Sequence, residues 1–171
     1  ARVMHVITRL ILGGAQENTL YTVELLQASG RFDVTLVTGP ALGPEGSLLE
    51  RATRQPFHTI VMPQMRRAIH AARDHSTYRT LKRLFRRERY DIVHTHSSKA
   101  GILGRIAAQR EGVPIITHTI HGLPFHPFQG RFANGFFIRL ERWAAKYSHR
   151  IFCVADAMTG SAVEARVAPR E

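Results

Sequence analysis

Short apolar runs alternate along the chain with segments of helical periodicity. The runs are rich in Val, Ile and Thr, as strands buried on both faces are, and they span residues 2–8, 32–38, 57–62, 91–95, 115–119 and 150–154. Helical spacing follows Gly13-Gly14 and recurs at 46–54, 76–89, 98–111, 132–147 and 156–167. No hairpin signal joins neighbouring runs. The pattern predicts an α/β fold, a doubly wound and mostly parallel Rossmann-like sheet with helices on both faces.

Local signals add three expectations, two about the ends of helices and one about the only cysteine. Gly112 should end the helix at 98–111, and Asp156 should cap the last helix with its side chain. Cys153, which lies between apolar residues and has no second cysteine to pair with, should be a buried strand thiol in a reducing compartment.

Length and composition indicate one domain over residues 1–171. Hydrophobic residues make up 44% and charged residues 22%, and no low-complexity tract interrupts the chain. No basic leader with a cleavage site opens the sequence, and no apolar run approaches the roughly 20 residues that span a bilayer. We expect a cytoplasmic protein, with peripheral contact at the inner face of the membrane left open.

The net charge of +11 favours a polyanionic partner. The densest basic segment interleaves apolar residues at helical spacing and is therefore an amphipathic basic helix. It could be an ordinary solvated helix face or a membrane-binding surface, and the sequence leaves both open. The segment contains Arg79, Leu81, Lys82, Arg83, Leu84, Phe85, Arg86, Arg87 and Arg89.

Polar residues that could carry chemistry follow three of the predicted strands. They stand at 13–18 after the first strand, at 94–99 after the fourth and at 118–122 after the fifth. Ligands of open α/β sheets bind outside the carboxyl ends of the strands, near the switch in strand order. The three segments should therefore meet in one crevice.

The Gly13-Gly14 pair could let a helix N-terminus approach an anion such as a diphosphate, because free N–H groups and the helix dipole favour negative charge there. A plain strand-to-helix turn remains the alternative. Neither G-x-G-x-x-G nor the P-loop motif occurs, which argues against a nicotinamide oxidoreductase and a P-loop NTPase. No G-x-S-x-G turn supports a nucleophilic triad.

The histidines after the strands raise the question of a metal site. His94 and His96 could share a face with help from His118 and His121, but no carboxylate or thiolate stands in the same loops, so we predict no metal. His94 is better explained as a core residue, whereas His96 and His121 should meet a ligand. The aromatic loop after His121, with Phe125 and Phe128, forms a pocket wall or simply anchors to the core.

These residues together resemble a known family. The strand at 3–8 with residues 13–16, the segment 91–101 and residues 120–122 are similar to the N-terminal domain of family-four glycosyltransferases, and residues 154–158 are similar to a further element of that family. Ala155 and Asp156 depart from the family pattern, in which a serine and a glutamate are more usual, so only helix capping is expected of them.

The resemblance implies half of a GT-B enzyme. Such an enzyme moves a sugar from a nucleotide-sugar to an acceptor with retention at the anomeric carbon and without a required metal or other cofactor. The N-terminal domain binds the acceptor, and a C-terminal donor-binding domain is expected to be absent from this chain. The fragment should then be inactive alone and could self-associate through its exposed cleft. A glycan or a lipid-linked acceptor in polysaccharide assembly would suit the basic helix.

The resemblance also suggests roles for single residues. His121 matches the histidine near the transferred sugar and is the catalytic candidate, since an imidazole can stabilise charge that develops on the leaving phosphate. Gly14 matches the glycine that faces the donor diphosphate, with Gly13 and Gly122 beside it. The candidates for acceptor binding are Gln16, Asn18, His96, Ser97, Lys99 and Phe125.

Two other classes of function remain. A noncatalytic basic domain could bind nucleic acid or an anionic membrane, although no helix-turn-helix, RNA-recognition aromatic pair or zinc-finger spacing occurs. An epimerase or another nucleotide-sugar enzyme could share the same fold, but the missing dinucleotide fingerprint counts against it.

Overall fold

A computed structural model describes residues 1–125 and 130–169. Within these residues six strands and six helices alternate along the chain. The strands are β1 (Arg2–Ile7), β2 (Asp33–Thr38), β3 (His58–Val61), β4 (Ile92–His96), β5 (Ile115–Ile120) and β6 (Arg150–Cys153). The helices are α1 (Gly14–Ala28), α2 (Leu49–Thr53), α3 (Ala71–Glu88), α4 (Ser98–Arg110), α5 (Arg131–Ala145) and α6 (Asp156–Glu164).

All six strands pair in parallel in the order β3-β2-β1-β4-β5-β6. The order reverses between β1 and β4, because the chain builds the sheet outwards from β1 in one direction and then returns to start again on its other side. The predicted doubly wound α/β fold is confirmed. The sequence pattern predicted which segments form strands and helices, whereas the strand order is known only from the structure.

The sheet separates two apolar layers, because successive strand residues point to opposite faces. On one face Leu20 and Val23 of α1 and Ala52 of α2 pack on Val34 and Leu36. On the other face α3 and α4 pack on β1, β4 and β5, through Leu81, Leu84, Phe85, Ala100, Ala107, Met4, Val93 and Ile116. Burying one such Leu or Phe side chain stabilises the fold by about 1.5–3 kcal/mol.

Helix α5 is held on α4 by a buried ion pair. Arg105 of α4 is fully buried, donates from Nε to the carbonyl of Gly101 at 2.9 Å and donates from Nη2 to Glu141 Oε2 of α5 at 2.9 Å. The pair fixes the position of the helix that follows the loop after β5.

Several helix boundaries differ from the sequence expectation: α2 begins at Leu49 instead of residue 46, and α6 ends at Glu164 instead of residue 167. Helix α3 begins at Ala71 instead of residue 76, because His70 and Asp74 cap it reciprocally: the His70 N–H donates to Asp74 Oδ2, and His70 Nδ1 accepts from the Arg73 N–H. The prediction that Asp156 caps α6 was wrong. Ala155 is the N-cap residue, and Asp156 is the first helical residue without a capping bond.

Helix α4 ends before Gly112, as predicted. The expectation for Cys153 was wrong, because this residue does not lie in a buried strand. Gly112 follows the end of α4 with φ of 69°, a left-handed conformation in which a side chain would be strained. Strand β6 is an edge strand with alternately exposed residues, and Cys153 at its end is only half-buried. Its apolar neighbours Phe152 and Val154 are both about half exposed.

Candidate functional site

The loops after β1 and β4 meet at the switch in strand order. Thr8 Oγ1 lies 2.8 Å from Ser97 Oγ and also accepts the Ala100 N–H at 3.1 Å, so that the residue directly after β1 caps the first turn of α4. Ser97 itself has φ of 60°. A non-glycine residue in this left-handed region is uncommon and often marks a functional turn.

The glycine pair begins α1 near the same edge. Gly13 is the N-cap residue in extended backbone, and no side chain caps the helix there. A Cβ atom added to Gly14 would meet nothing within 4 Å, so the backbone of the first turn faces open space. Free N–H groups at the start of this turn can approach an anion closely, and the role of Gly14 in binding a diphosphate stays a prediction.

His121 follows β5 and contacts His96 at the end of β4. The distance from His96 Nδ1 to His121 Nε2 is 3.0 Å, within hydrogen-bond range. His96 is fully buried, whereas His121 is half-buried and has no partner for Nδ1 among the described residues. The structure thus brings together two of the predicted site residues from separate loops.

Sequence reasoning missed a third histidine of this cluster. His5 lies within β1, opposite His94 in the register of β1 and β4, and its Nδ1 atom is 2.9 Å from His96 Nε2. His5, His94 and His96 stack with ring centroids 4.4–5.2 Å apart. The signal in the sequence was a histidine inside an apolar strand, which could be linked to His96 only through the strand order.

The stacked histidines have some of the features of a metal site. Nitrogen atoms of His5, His94 and His96 lie within 4.8 Å of one another. However, Nδ1 of His5 and Nε2 of His96 contact each other at 2.9 Å, whereas two imidazole ligands of tetrahedral zinc at 2.0–2.1 Å would stand about 3.3 Å apart. His118 packs against Gly101 of α4 and bonds Thr95. The rings are placed for mutual hydrogen bonding, and metal independence stays a prediction.

Burial keeps these imidazoles neutral. Desolvation lowers the pKa of His5 and of His96 well below the ordinary value, and neighbouring histidines lower both further. Desolvation lowers the pKa of His94 to about 4 and, with His121 a smaller cause, the ring stays uncharged at neutral pH. The pKa of His121 is lowered by desolvation as well. At neutral pH the site therefore offers polar rings without a positive charge.

The remaining candidate residues, for acceptor binding and, in the case of Gly122, for the donor side, have different surroundings. Gln16 is half-buried beside Gly13, Asn18 is exposed, and Gly122 has open space around its Cα. The Lys99 ammonium donates to Asp74 at 2.7 Å and to the Ala68 carbonyl, so its side chain has internal partners. The roles of these residues stay predictions.

The aromatic loop packs partly on the protein. Phe125 contacts the apolar cluster that contains Ile120 and Val167, as expected of a residue that anchors the loop to the core. Phe128 lies outside the described residues. Ser97, His121 and Gly122 line a small cavity of about 10 Å³, while a larger one of about 850 Å³ lies between α5, β6 and α6, away from His121. The cavity beside His121 is therefore too small to hold a sugar by itself.

The apolar stripe of helix α3 packs into the core. Leu81, Leu84 and Phe85 are buried against the sheet. Lys82 and Arg86 both pair with Glu111, at 3.1 and 2.9 Å. A membrane role would thus depend on surface charge alone. No helix in residues 1–125 and 130–169 combines the length and the apolarity that a bilayer crossing requires.

The parallel sheet with helices on both faces defines a Rossmann-like domain, as in the GT-B fold. Its geometry is similar to that of sucrose-phosphate synthase from Thermosynechococcus elongatus, with a TM-score of 0.71, 12% identity and coverage of 96% of this chain and 45% of that one. UDP-GlcNAc 2-epimerase from Neisseria meningitidis, bound to UDP-GlcNAc, is similar with a TM-score of 0.67 and 13% identity over 96% of this chain and 43% of that one.

Sequence comparison shows the family. The model of Glycosyltransferase Family 4 matches residues 12–171, and the chain belongs to this family. It is 37% identical over 153 residues to UDP-Gal:alpha-D-GlcNAc-diphosphoundecaprenol alpha-1,3-galactosyltransferase of Escherichia coli. That match covers 90% of this chain and 38% of the relative, so the chain spans well under half the length of the enzyme it resembles.

Proposed function

We propose that this chain is the acceptor-binding domain of a retaining glycosyltransferase that transfers a sugar from a nucleotide-sugar to a glycan or lipid-linked acceptor. The observation that carries the proposal is the position of His121 at the carboxyl edge of the sheet, beside the switch between β1 and β4, in a chain of glycosyltransferase family 4. This edge is where open α/β sheets bind their ligands.

Two groups at this edge can stabilise negative charge. The uncapped N-terminus of α1 at Gly14 directs backbone N–H groups towards open space, which suits a diphosphate. His121 supplies a neutral imidazole. Groups of this kind act most strongly where charge develops in the transition state, because they are held in place before the reaction.

We assign most of the donor site to a second domain. The galactosyltransferase relative and the structural neighbours are more than twice as long as the matched region. The small cavity at His121 fits a site that another domain completes. This chain alone should then be inactive, and its exposed cleft could lead to self-association.

An epimerase is the alternative on the same fold. The similarity to UDP-GlcNAc 2-epimerase favours it only at the level of fold, since identity is 13%. The sequence relative, at 37% identity, is a galactosyltransferase. The two activities differ in one respect that can be measured, because an epimerase needs no acceptor.

A transfer assay tests the proposed function. The whole protein, incubated with UDP-galactose and a GlcNAc diphosphate-polyprenol acceptor, should yield an acceptor that carries one additional sugar. UDP-GlcNAc and GDP-mannose serve as alternative donors. The 171-residue chain serves as a control and should give no product. Absence of transfer from every donor to lipid-linked and free glycan acceptors would count against the proposal.

We also propose peripheral contact of α3 with an anionic membrane, where a lipid-linked acceptor would lie. Arg79 and Arg83 are exposed and have no ion-pair partner among the described residues. Replacing both by glutamate should weaken sedimentation with phosphatidylglycerol vesicles at low salt, where exposed charges are little screened; at physiological ionic strength the screening length falls to about 8 Å.

A matched control separates this effect from net charge. Arg31 follows α1 and Arg54 follows α2, the helices on the opposite face of the sheet, and replacing both by glutamate changes the net charge equally, with the added loss of the surface pair between Arg54 and Glu50. The control pair should bind vesicles like the parent. Equal loss in both variants would mean that α3 is an ordinary solvated helix face.

A further inference from the structure

The buried histidines form a continuous chain of hydrogen bonds that ends at the proposed catalytic residue. His5 Nδ1 lies 2.9 Å from His96 Nε2, and His96 Nδ1 lies 3.0 Å from His121 Nε2. The histidine chain begins at His5, which is fully buried in the middle of β1, and ends at the half-buried His121. His94 stacks on two of these rings but bonds Thr119 at 2.7 Å, so it is outside the chain.

The chain of hydrogen-bonded histidines can exist in only two tautomeric states when its rings are neutral. A neutral imidazole has one N–H donor and one bare acceptor nitrogen. Each of the two bonds needs one donor and one acceptor, so the tautomer of one ring sets the tautomers of the other two. Either all three rings carry the proton on Nδ1, or all three carry it on Nε2. The second bond, at 3.0 Å, is short enough to transmit the constraint to His121.

The inner end of the chain decides between the two states. His5 Nε2 is buried and has no hydrogen-bond partner among the described residues. In the Nε2–H state this atom would be an orphaned donor, whereas in the Nδ1–H state it is a bare acceptor. Buried donors without partners are rarer in proteins than under-satisfied acceptors. Burial without a partner therefore favours a bare Nε2 on His5, and with it the state in which all three rings carry the proton on Nδ1.

We propose that His5 and His96 are positioning residues that fix His121 in its Nδ1–H tautomer, so that His121 meets its substrate as a hydrogen-bond donor. This inference rests on the proposed function and specifies the chemistry of its central residue. The ligand atom opposite Nδ1 is then an oxygen that accepts, in a phosphate or a sugar hydroxyl. His121 cannot accept a proton at Nδ1 in this state, so it acts by stabilising negative charge and not as a base there.

Nitrogen-15 NMR of the 171-residue chain tests the inference without any activity measurement. Long-range proton–nitrogen correlation separates protonated from bare ring nitrogens by their chemical shifts. At neutral pH His5, His96 and His121 should each show a protonated Nδ1 and a bare Nε2. Protonated Nε2 on His121 in the parent chain would overturn the proposal.

Two matched variants test whether the histidine chain sets the tautomer of His121. His96→Leu removes the partner of His121, and its His121 signals should move towards the average of two exchanging tautomers. His94→Leu removes a ring from the same stack but leaves the chain intact, so His121 should keep the parent shifts. Unchanged His121 shifts in His96→Leu would overturn the role of His96. If that variant does not fold, the parent spectrum still decides the tautomer.

The result is separable from the proposed function. An Nδ1–H tautomer with no transfer activity would remove the enzyme assignment and leave the histidine chain as a structural fact. Transfer activity with an Nε2–H tautomer would keep the enzyme and refute the proposal that His121 is held as an Nδ1–H donor.

Discussion

Replacement of His121 by alanine in the whole protein is expected to lower kcat by about 10² or more, the scale for losing one preorganised group that stabilises transition-state charge. The side chain follows β5, is held by His96 and leaves Nδ1 without a partner in the described part of the chain. Acceptor affinity should change little. Steady-state kinetics with both substrates would measure the two effects separately.

A pair of amide variants sharpens this prediction. His121→Asn places an N–H donor near the position of Nδ1, whereas His121→Gln places one near Nε2. If His121 acts through an Nδ1–H donor, the asparagine variant should retain more activity than the glutamine variant. An alanine variant that melts like the parent and stays within a few-fold of its turnover would make His121 a structural residue.

The second large effect concerns stability. Glu141→Ala should destabilise the chain by about 3–5 kcal/mol, because it leaves the fully buried guanidinium of Arg105 without its partner. Desolvation already lowers the pKa of Arg105, which reflects the cost of burying this charge. Urea unfolding followed by circular dichroism would measure the change in the free energy of unfolding.

An exposed ion pair supplies the control. Glu50 and Arg54 pair on the surface of α2 with both side chains 75% exposed, and Glu50→Ala should cost less than about 1 kcal/mol. The double variant Arg105→Met with Glu141→Leu should recover most of the loss, since it removes the buried charge altogether. Equal losses in Glu141→Ala and Glu50→Ala would contradict the idea that the pair fixes α5 on α4.

The order of helices and strands could be predicted because buried parallel strands are short apolar runs and the helices between them have a different period. The start of α3 could not, because its first turn has no apolar stripe and depends on the reciprocal caps of His70 and Asp74. Cys153 was misjudged because an apolar run does not reveal that its strand lies at the edge of the sheet.

The loop residues of the candidate site could be predicted from the sequence, but its buried histidine in β1 could not. Positions after strands, together with the family resemblance, indicated His96 and His121. His5 was not found, because a histidine inside an apolar strand has no sequence signal that joins it to a residue 91 positions away. That link exists only because β1 and β4 are neighbours at the switch in strand order. Long-range strand pairing is the information that local pattern lacks.

The most direct test of the central claim is whether the whole protein consumes its donor only when an acceptor is present. Chromatography of the nucleotides after incubation with a UDP-sugar would show free UDP only in samples that also contain the lipid-linked acceptor, if the protein is the transferase proposed above. Conversion of the UDP-sugar to its epimer without any acceptor would contradict the account and identify a different enzyme on the same fold.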